Sequence, residues 1–184
     1  MAPDHTTLEL ARAAYERHDW PRARELFRAA RARGELPADG LYALSDAAWW
    51  LGDDEECLEA CGGAYHLYLK EDQPRRAALA AVDLAMVFFL RGESTLGSGW
   101  MSRARRLLDD QPEAAEHGYV LYLLEVEGPL GGVVPSDPIA LSSLLAAARR
   151  VQEIGRQHGD PSLRAVGIVG EGARWSRRGA WRKG

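Results

Sequence analysis

A three-residue signature that returns after a fixed interval limits this chain more than any other feature. Ala23, Phe27 and Ala30 place a small residue, a large apolar one four positions later and a small one three after that, and Cys57, Cys61 and Ala64 repeat those offsets. The step from 23 to 57 is 34 residues. Offsets of four and seven fall on one helix face, where two small residues let a neighbouring helix approach and the larger one fills the gap. Each signature follows another helical period. Leu8, Ala11 and Tyr15 precede the break at His18, Asp19, Trp20 and Pro21, while Leu41, Leu44, Ser45 and Ala48 precede Gly52. Pro21 suits the first turn of a helix, and the acidic run Asp53 to Glu56 suits a helix N-terminus. A helix, tight turn, helix unit recurring at this period cannot bury its apolar stripe alone, so it stacks on its neighbours.

Period and offsets are those of a tetratricopeptide repeat. They predict an all-α, tetratricopeptide-like superhelix of antiparallel helix pairs, with about four pairs plus a truncated fifth. The third pair spans 74–91 and 95–108, with Ala81, Leu84, Ala85 and Phe88 in its first helix and Gly97, Met101 and Ala104 in its second. The fourth spans 113–127 and 139–157, carries Leu141, Leu145 and Ala148, and is interrupted by a Gly- and Pro-rich loop at 128–135. Phe27, Cys61, Met101 and Leu145 are expected at equivalent inter-helix positions. A fifth first helix starts at Ser162 and lacks a second helix, so residues 162–171 are expected to be poorly covered. The predicted repeat domain is 1–172, followed at 173–184 by a basic, disordered tail.

Charge is divided in the same way. The formal net charge is −4, yet Arg174, Arg177, Arg178, Arg182 and Lys183 all lie after Gly172, which leaves −9 on the residues before it. An acidic body does not attract phosphates, so direct sequence-specific DNA binding by this chain is not expected; the tail supplies only nonspecific attraction. The apolar run at 77–90 contains Asp83 and is shorter than the roughly 18 to 20 residues of a membrane span. No membrane partner is expected, and with two cysteines and no signal-like N-terminus the expected localisation is cytoplasmic.

The segments YERHDWPRARELFRAARARG, AAWWLGDDEECLEACGGAYHLYLKEDQPRRAALAAVDLA, FFLRGESTLGSGWMSRARRLLDD and EHGYVLYL carry a family resemblance. They resemble the N-terminal repeat region of large actinobacterial-type LuxR-family transcriptional regulators, and related repeats accompany some adenylyl cyclases. The resemblance covers roughly residues 7–172. It implies a regulatory or sensing module without the family's helix-turn-helix, which in those proteins lies far beyond the length of this chain. After Gly172 the chain departs from the repeat pattern. Reading G/C-rich codons two bases later from Ala173 restores a repeat-like helix end, glycine turn and helix start. Two readings of the tail stay open, an out-of-frame read of a longer repeat protein or a basic C-terminus in its own right.

Catalytic constellations are not apparent. Cys57 and Cys61 sit at packing positions and read as buried thiols, and His5, His18, His66, His117 and His158 are scattered singly without ligand spacing. Gly167, Gly170 and Gly172 follow no strand and read as close helix packing, not as a phosphate cradle. A non-enzymatic chain with no metal and no cofactor is expected. The candidate binding groove is the concave surface, which first-helix residues line at offsets of about four and seven. That register selects Leu8, Arg12 and Tyr15, then Tyr42, Asp46 and Trp49, then Val82, Met86 and Phe89. Arg12, Tyr15, Tyr42, Asp46, Trp49, Met86 and Phe89 form the expected groove for a protein segment or small effector. The alternative is that the superhelix closes and several of them are core. Trp49 and Trp50, about 100° apart on a helix, divide between groove and packing. Two functions remain open, a regulatory repeat module and a free-standing adaptor with a basic tail.

Overall fold

The computed structural model describes the backbone of residues 5–127 and 137–180, and the side chains of residues 7–126 and 137–172. The elements are α1 (His5–Glu16), α2 (Trp20–Ala32), α3 (Ala38–Trp50), α4 (Asp54–Lys70), α5 (Pro74–Leu90), α6 (Ser94–Leu108), α7 (Ala115–Leu121), a π-helical turn (Tyr122–Glu127), α8 (Pro138–Gln157) and α9 (Pro161–Ala180). The described residues are all helical with no strand, and helices adjacent in sequence pack as pairs. Two compact units result, Met1–Leu107 and Leu108–Gly184.

The pairs are set by one turn used repeatedly. The amide of the residue after a left-handed position donates to the carbonyl five residues earlier: Asp19 to Ala14 (2.9 Å), Asp53 to Ala48 (2.9 Å), Gln73 to Tyr68 (2.8 Å), Glu93 to Phe88 (2.8 Å) and Asp160 to Gly155 (2.8 Å). This satisfies an orphan carbonyl and stops the helix within three residues. Glycine supplies the left-handed residue at Gly52, Gly92 and Gly159, whereas His18 and Asp72 adopt it at φ of 58° and 54° despite their side chains. Asp19, Asp53 and Asp160 then cap the next helix, accepting from the amides of Arg22 (3.3 Å), Glu56 (3.1 Å) and Leu163 (2.9 Å).

In the first unit the core begins with Ala11, Ala14, Ala23, Phe27, Leu44, Ala47 and Ala60, where alanines bring α1 to α4 close and Phe27 fills the gap. Ala48, Cys57 and Val87 continue it toward α5. The outer flank joins α2 to α4 through charge. Arg24 and Arg28 both pair with Glu56 (2.5 Å each), Arg24 also with Asp53, and Arg31 with Glu59 (2.7 Å).

The second unit follows a register different from the expected one. α8 and α9 form a hairpin closed by the recurrent turn, with Val151, Ile154 and Leu163 as its core. The proposed fourth pair of 113–127 with 139–157 is therefore not the main pairing of α8. Leu144 is buried at 2% exposure while Leu145 is only partly buried, so the expected equivalence of Phe27, Cys61, Met101 and Leu145 fails at the last position. The segment expected to lack a partner has one: Leu163, Gly167 and Gly170 of α9 are buried, and Gly167 and Gly170 lie against α8 and Val126. Backbone helix continues to Ala180, past the boundary expected at Gly172; residues 181–184 and the loop expected at 128–135 lie outside the described residues.

α7 opens without an oxygen-bearing cap, because Ala114 occupies the N-cap. His117 compensates. Its Nδ1 accepts from the Ala114 amide (3.1 Å), and its Nε2 lies 3.2 Å from the Leu108 carbonyl, to which it donates in the Nε2–H tautomer. His117→Ala removes both bonds, with an expected cost of about 0.5 to 2 kcal/mol in denaturant unfolding of this unit. An unchanged midpoint would mean that water replaces the imidazole without loss.

Candidate functional site

Asp39, Tyr42, Asp46 and Trp49 are spaced by three, four and three residues on α3, so their side chains leave one face. That face meets the first helices of the neighbouring pairs. The Tyr15 hydroxyl of α1 donates to Asp46 Oδ2 (2.6 Å), and the Tyr42 hydroxyl donates to Asp83 Oδ2 of α5. At the other end Tyr68 of α4 donates to Asp39 Oδ1 (2.7 Å), and Arg76 of α5 pairs with the same carboxylate while its guanidinium lies 5.8 Å from the centre of the Tyr68 ring. Tyr42 and Tyr68 meet edge to face at 6.4 Å.

The expected groove residues thus separate into three groups. Tyr15, Tyr42 and Asp46 are brought together as anticipated, each partly buried. Arg12 is exposed, and its charge reaches Asp39. Trp49 is 36% exposed and Met86 partly buried, on the same helices but outside the hydrogen-bonded set. Phe89 has a packing role: its ring stands against Gly97 of α6, so near that a Cβ there would lie 2.6 Å away. Val82 is buried at 4%. On α5 it is Asp83, next to the buried Val82, that meets Tyr42 on this face. Asp83 was the residue the offsets missed, and its signal was a lone carboxylate inside an otherwise apolar helix. The two tryptophans differ in their contacts, and Trp50 is the more exposed at 61% against 36% for Trp49. Trp50 stacks on Trp20 at 5.9 Å with rings 10° apart, while Trp49 stays on the α3 face.

Electrostatics distinguish the two ends. At Asp39 burial raises the carboxyl's pKa, but the Tyr68 hydroxyl and Arg76 outweigh it and hold it below the usual value. Asp83 has no such cation. Burial pushes its carboxyl up to about 6, the Tyr42 hydroxyl works against that, and the neighbouring Asp46 charge adds to it. Burial and the adjacent carboxylates raise the Tyr15 and Tyr42 phenols well above their ordinary value, so both stay hydrogen-bond donors at any physiological pH.

Beneath this face Cys57 and Cys61 are buried, and Cys61 donates to the Ala80 carbonyl (3.3 Å). Burial pushes the Cys57 thiol up to about 12 and the Cys61 thiol well above its usual value, with Asp83 adding to both, so neither is a ready nucleophile. Among the described residues no group of three or more His, Cys, Asp or Glu is placed to hold a metal, and no helix is long and apolar enough to cross a membrane. In the second unit Gly167 and Gly170 serve close packing, against Ala148 and Gln152 and against Val126 respectively. Compared with protein-family models and with curated proteins, the chain matches none.

Proposed function

We propose that this chain is a non-catalytic, tetratricopeptide-like binding module of regulatory type, and that its ligand sits on the face formed by α1, α3 and α5. The observation that carries the reading is the alignment of Tyr15, Tyr42, Asp46 and Trp49, which places aromatic and carboxylate side chains from successive first helices on one surface. Aromatic side chains supply rigid contact area, and with the Tyr15 and Tyr42 hydroxyls held by Asp46 and Asp83 it is Trp49, 36% exposed, that stands ready as the anchor. Further support comes from the 34-residue step and from the resemblance to the repeat region of LuxR-family regulators. The proposed ligand is a protein segment or small effector, and the proposed site of action is the cytoplasm.

The test uses the full chain to select binders from a library of random peptides displayed on phage. Trp49→Ala should weaken a selected peptide by about thirtyfold, the equivalent of about 2 kcal/mol. Removal of residues 173–184 should change little at physiological ionic strength, where exposed charges are screened. The reverse pattern would overturn the groove reading in favour of an adaptor that works through its basic tail. Reading the coding DNA in the alternate frame from Ala173 separates the same two cases, since further repeats and a helix-turn-helix belong only to the regulator.

A further inference from the structure

Every carboxylate that joins two helices of the first unit by an ion pair meets an arginine: Asp39 with Arg76, Asp53 with Arg24, Glu56 with Arg24 and Arg28, Glu59 with Arg31. Asp46 and Asp83 differ. They belong to α3 and α5, each accepts a tyrosine hydroxyl from another helix, and no ion pair reaches either among the described residues. Among the described residues, the titratable groups that interact electrostatically with Asp83 are Tyr15 on α1, Tyr42 and Asp46 on α3, and Cys57 and Cys61 on α4. All are neutral or negative at neutral pH, and none brings a positive charge.

We propose that Tyr15, Asp46, Tyr42 and Asp83 form a proton-operated latch between the first helices of the first three hairpins, closed while Asp83 holds a proton and loosened when it gives that proton to solvent. Two carboxylates that share a partly dry site cannot both ionise without mutual repulsion, so the first proton lost is the easier one and the second is retained. Asp46 accepts from Tyr15 on α1. Asp83, opposite Tyr42, carries the proton. Its loss sets a second negative charge against Asp46 across the α3–α5 junction, with only hydroxyls to answer it. The latch does not depend on what binds the face, so it stands apart from the binding reading.

The position of Asp83 at about 6, against an ordinary 3.8, fixes the pH window. A folded state with the higher value holds more protons between the two, so the latch is fully effective below roughly pH 4 and is lost as pH rises through about 6. Each unit of separation is tenfold in the folding equilibrium, so the whole shift corresponds to about a hundredfold. The experiment is an NMR titration of the aspartate side-chain carboxyl carbons in the full chain, paired with denaturant unfolding over the same pH series. Asp83 should titrate near pH 6, and stability should fall about a hundredfold across the window. Asp83→Asn keeps the acceptor for Tyr42 and should abolish that fall. Asp46→Asn should move the Asp83 titration to lower pH. Titration of Asp83 in the ordinary carboxylate range overturns the proposal, and so does an Asp83→Asn protein that retains the wild-type pH slope. Should either variant fail to fold, the titration of the unaltered chain decides alone.

Discussion

Phe27→Ala is expected to cost about 3 to 5 kcal/mol, the largest loss of any single truncation in the first unit. The ring is 1% exposed and packed among Ala11, Ala14, Ala23, Leu44, Ala47 and Ala60, with Tyr15 edge-on at 6.5 Å. Its neighbours are mostly alanines, whose side chains are too short to move into the space left behind. The lost transfer free energy is therefore joined by an almost full cavity term. Denaturant unfolding read on the first unit measures it, with Val169→Ala, at a site 71% exposed, as a control expected within about 0.5 kcal/mol of wild type. A loss below about 1 kcal/mol for Phe27→Ala would mean that α1, α2 and α3 do not meet around this ring.

The same residue shows why much of the fold could be read beforehand. A small-large-small signature on one helix face specifies both a partner helix and its distance, so two copies at a fixed step defined the first two hairpins. Where spacing had to choose between adjacent residues it failed. Leu144 and Leu145 are chemically identical and lie about 100° apart on α8, so composition offered no way to decide which one is buried. On α5, likewise, Val82 is buried, the adjacent Asp83 meets Tyr42, and Phe89 packs against Gly97. The cause was tertiary. Gly97 lets the Phe89 ring approach α6 closely, and that contact is invisible in the periodicity of α5 alone. The spacing did put Tyr15, Tyr42 and Asp46 on facing sides of α1 and α3, where Tyr15 reaches Asp46. Asp83 needed a different argument, namely that a single carboxylate in an apolar helix requires a polar partner on whichever helix it meets.

Two glycine substitutions are expected to act with opposite signs, and the contrast tests the close packing of α8 on α9. At Gly155 an added Cβ would lie 2.6 Å from the Arg164 amide nitrogen, 3.0 Å from its Cα and 3.0 Å from the Asp160 carbonyl. All three are main-chain atoms at the start of α9, held by the cap of Asp160 on Leu163, so no rotamer change relieves the clash. The hairpin must splay, and Gly155→Ala should cost about 1 to 3 kcal/mol despite the better helix propensity of alanine. At Gly62, within α4, the added Cβ would meet nothing within 4 Å. There the propensity term acts alone, and Gly62→Ala should stabilise the first unit by about 0.5 to 1 kcal/mol, because alanine loses less backbone freedom on folding. Denaturant midpoints of the two variants against wild type decide the matter. A Gly155→Ala protein as stable as the Gly62→Ala protein would show that α8 and α9 stand further apart than their glycines permit, and that the second unit is held by Val151, Ile154 and Leu163 without close backbone approach.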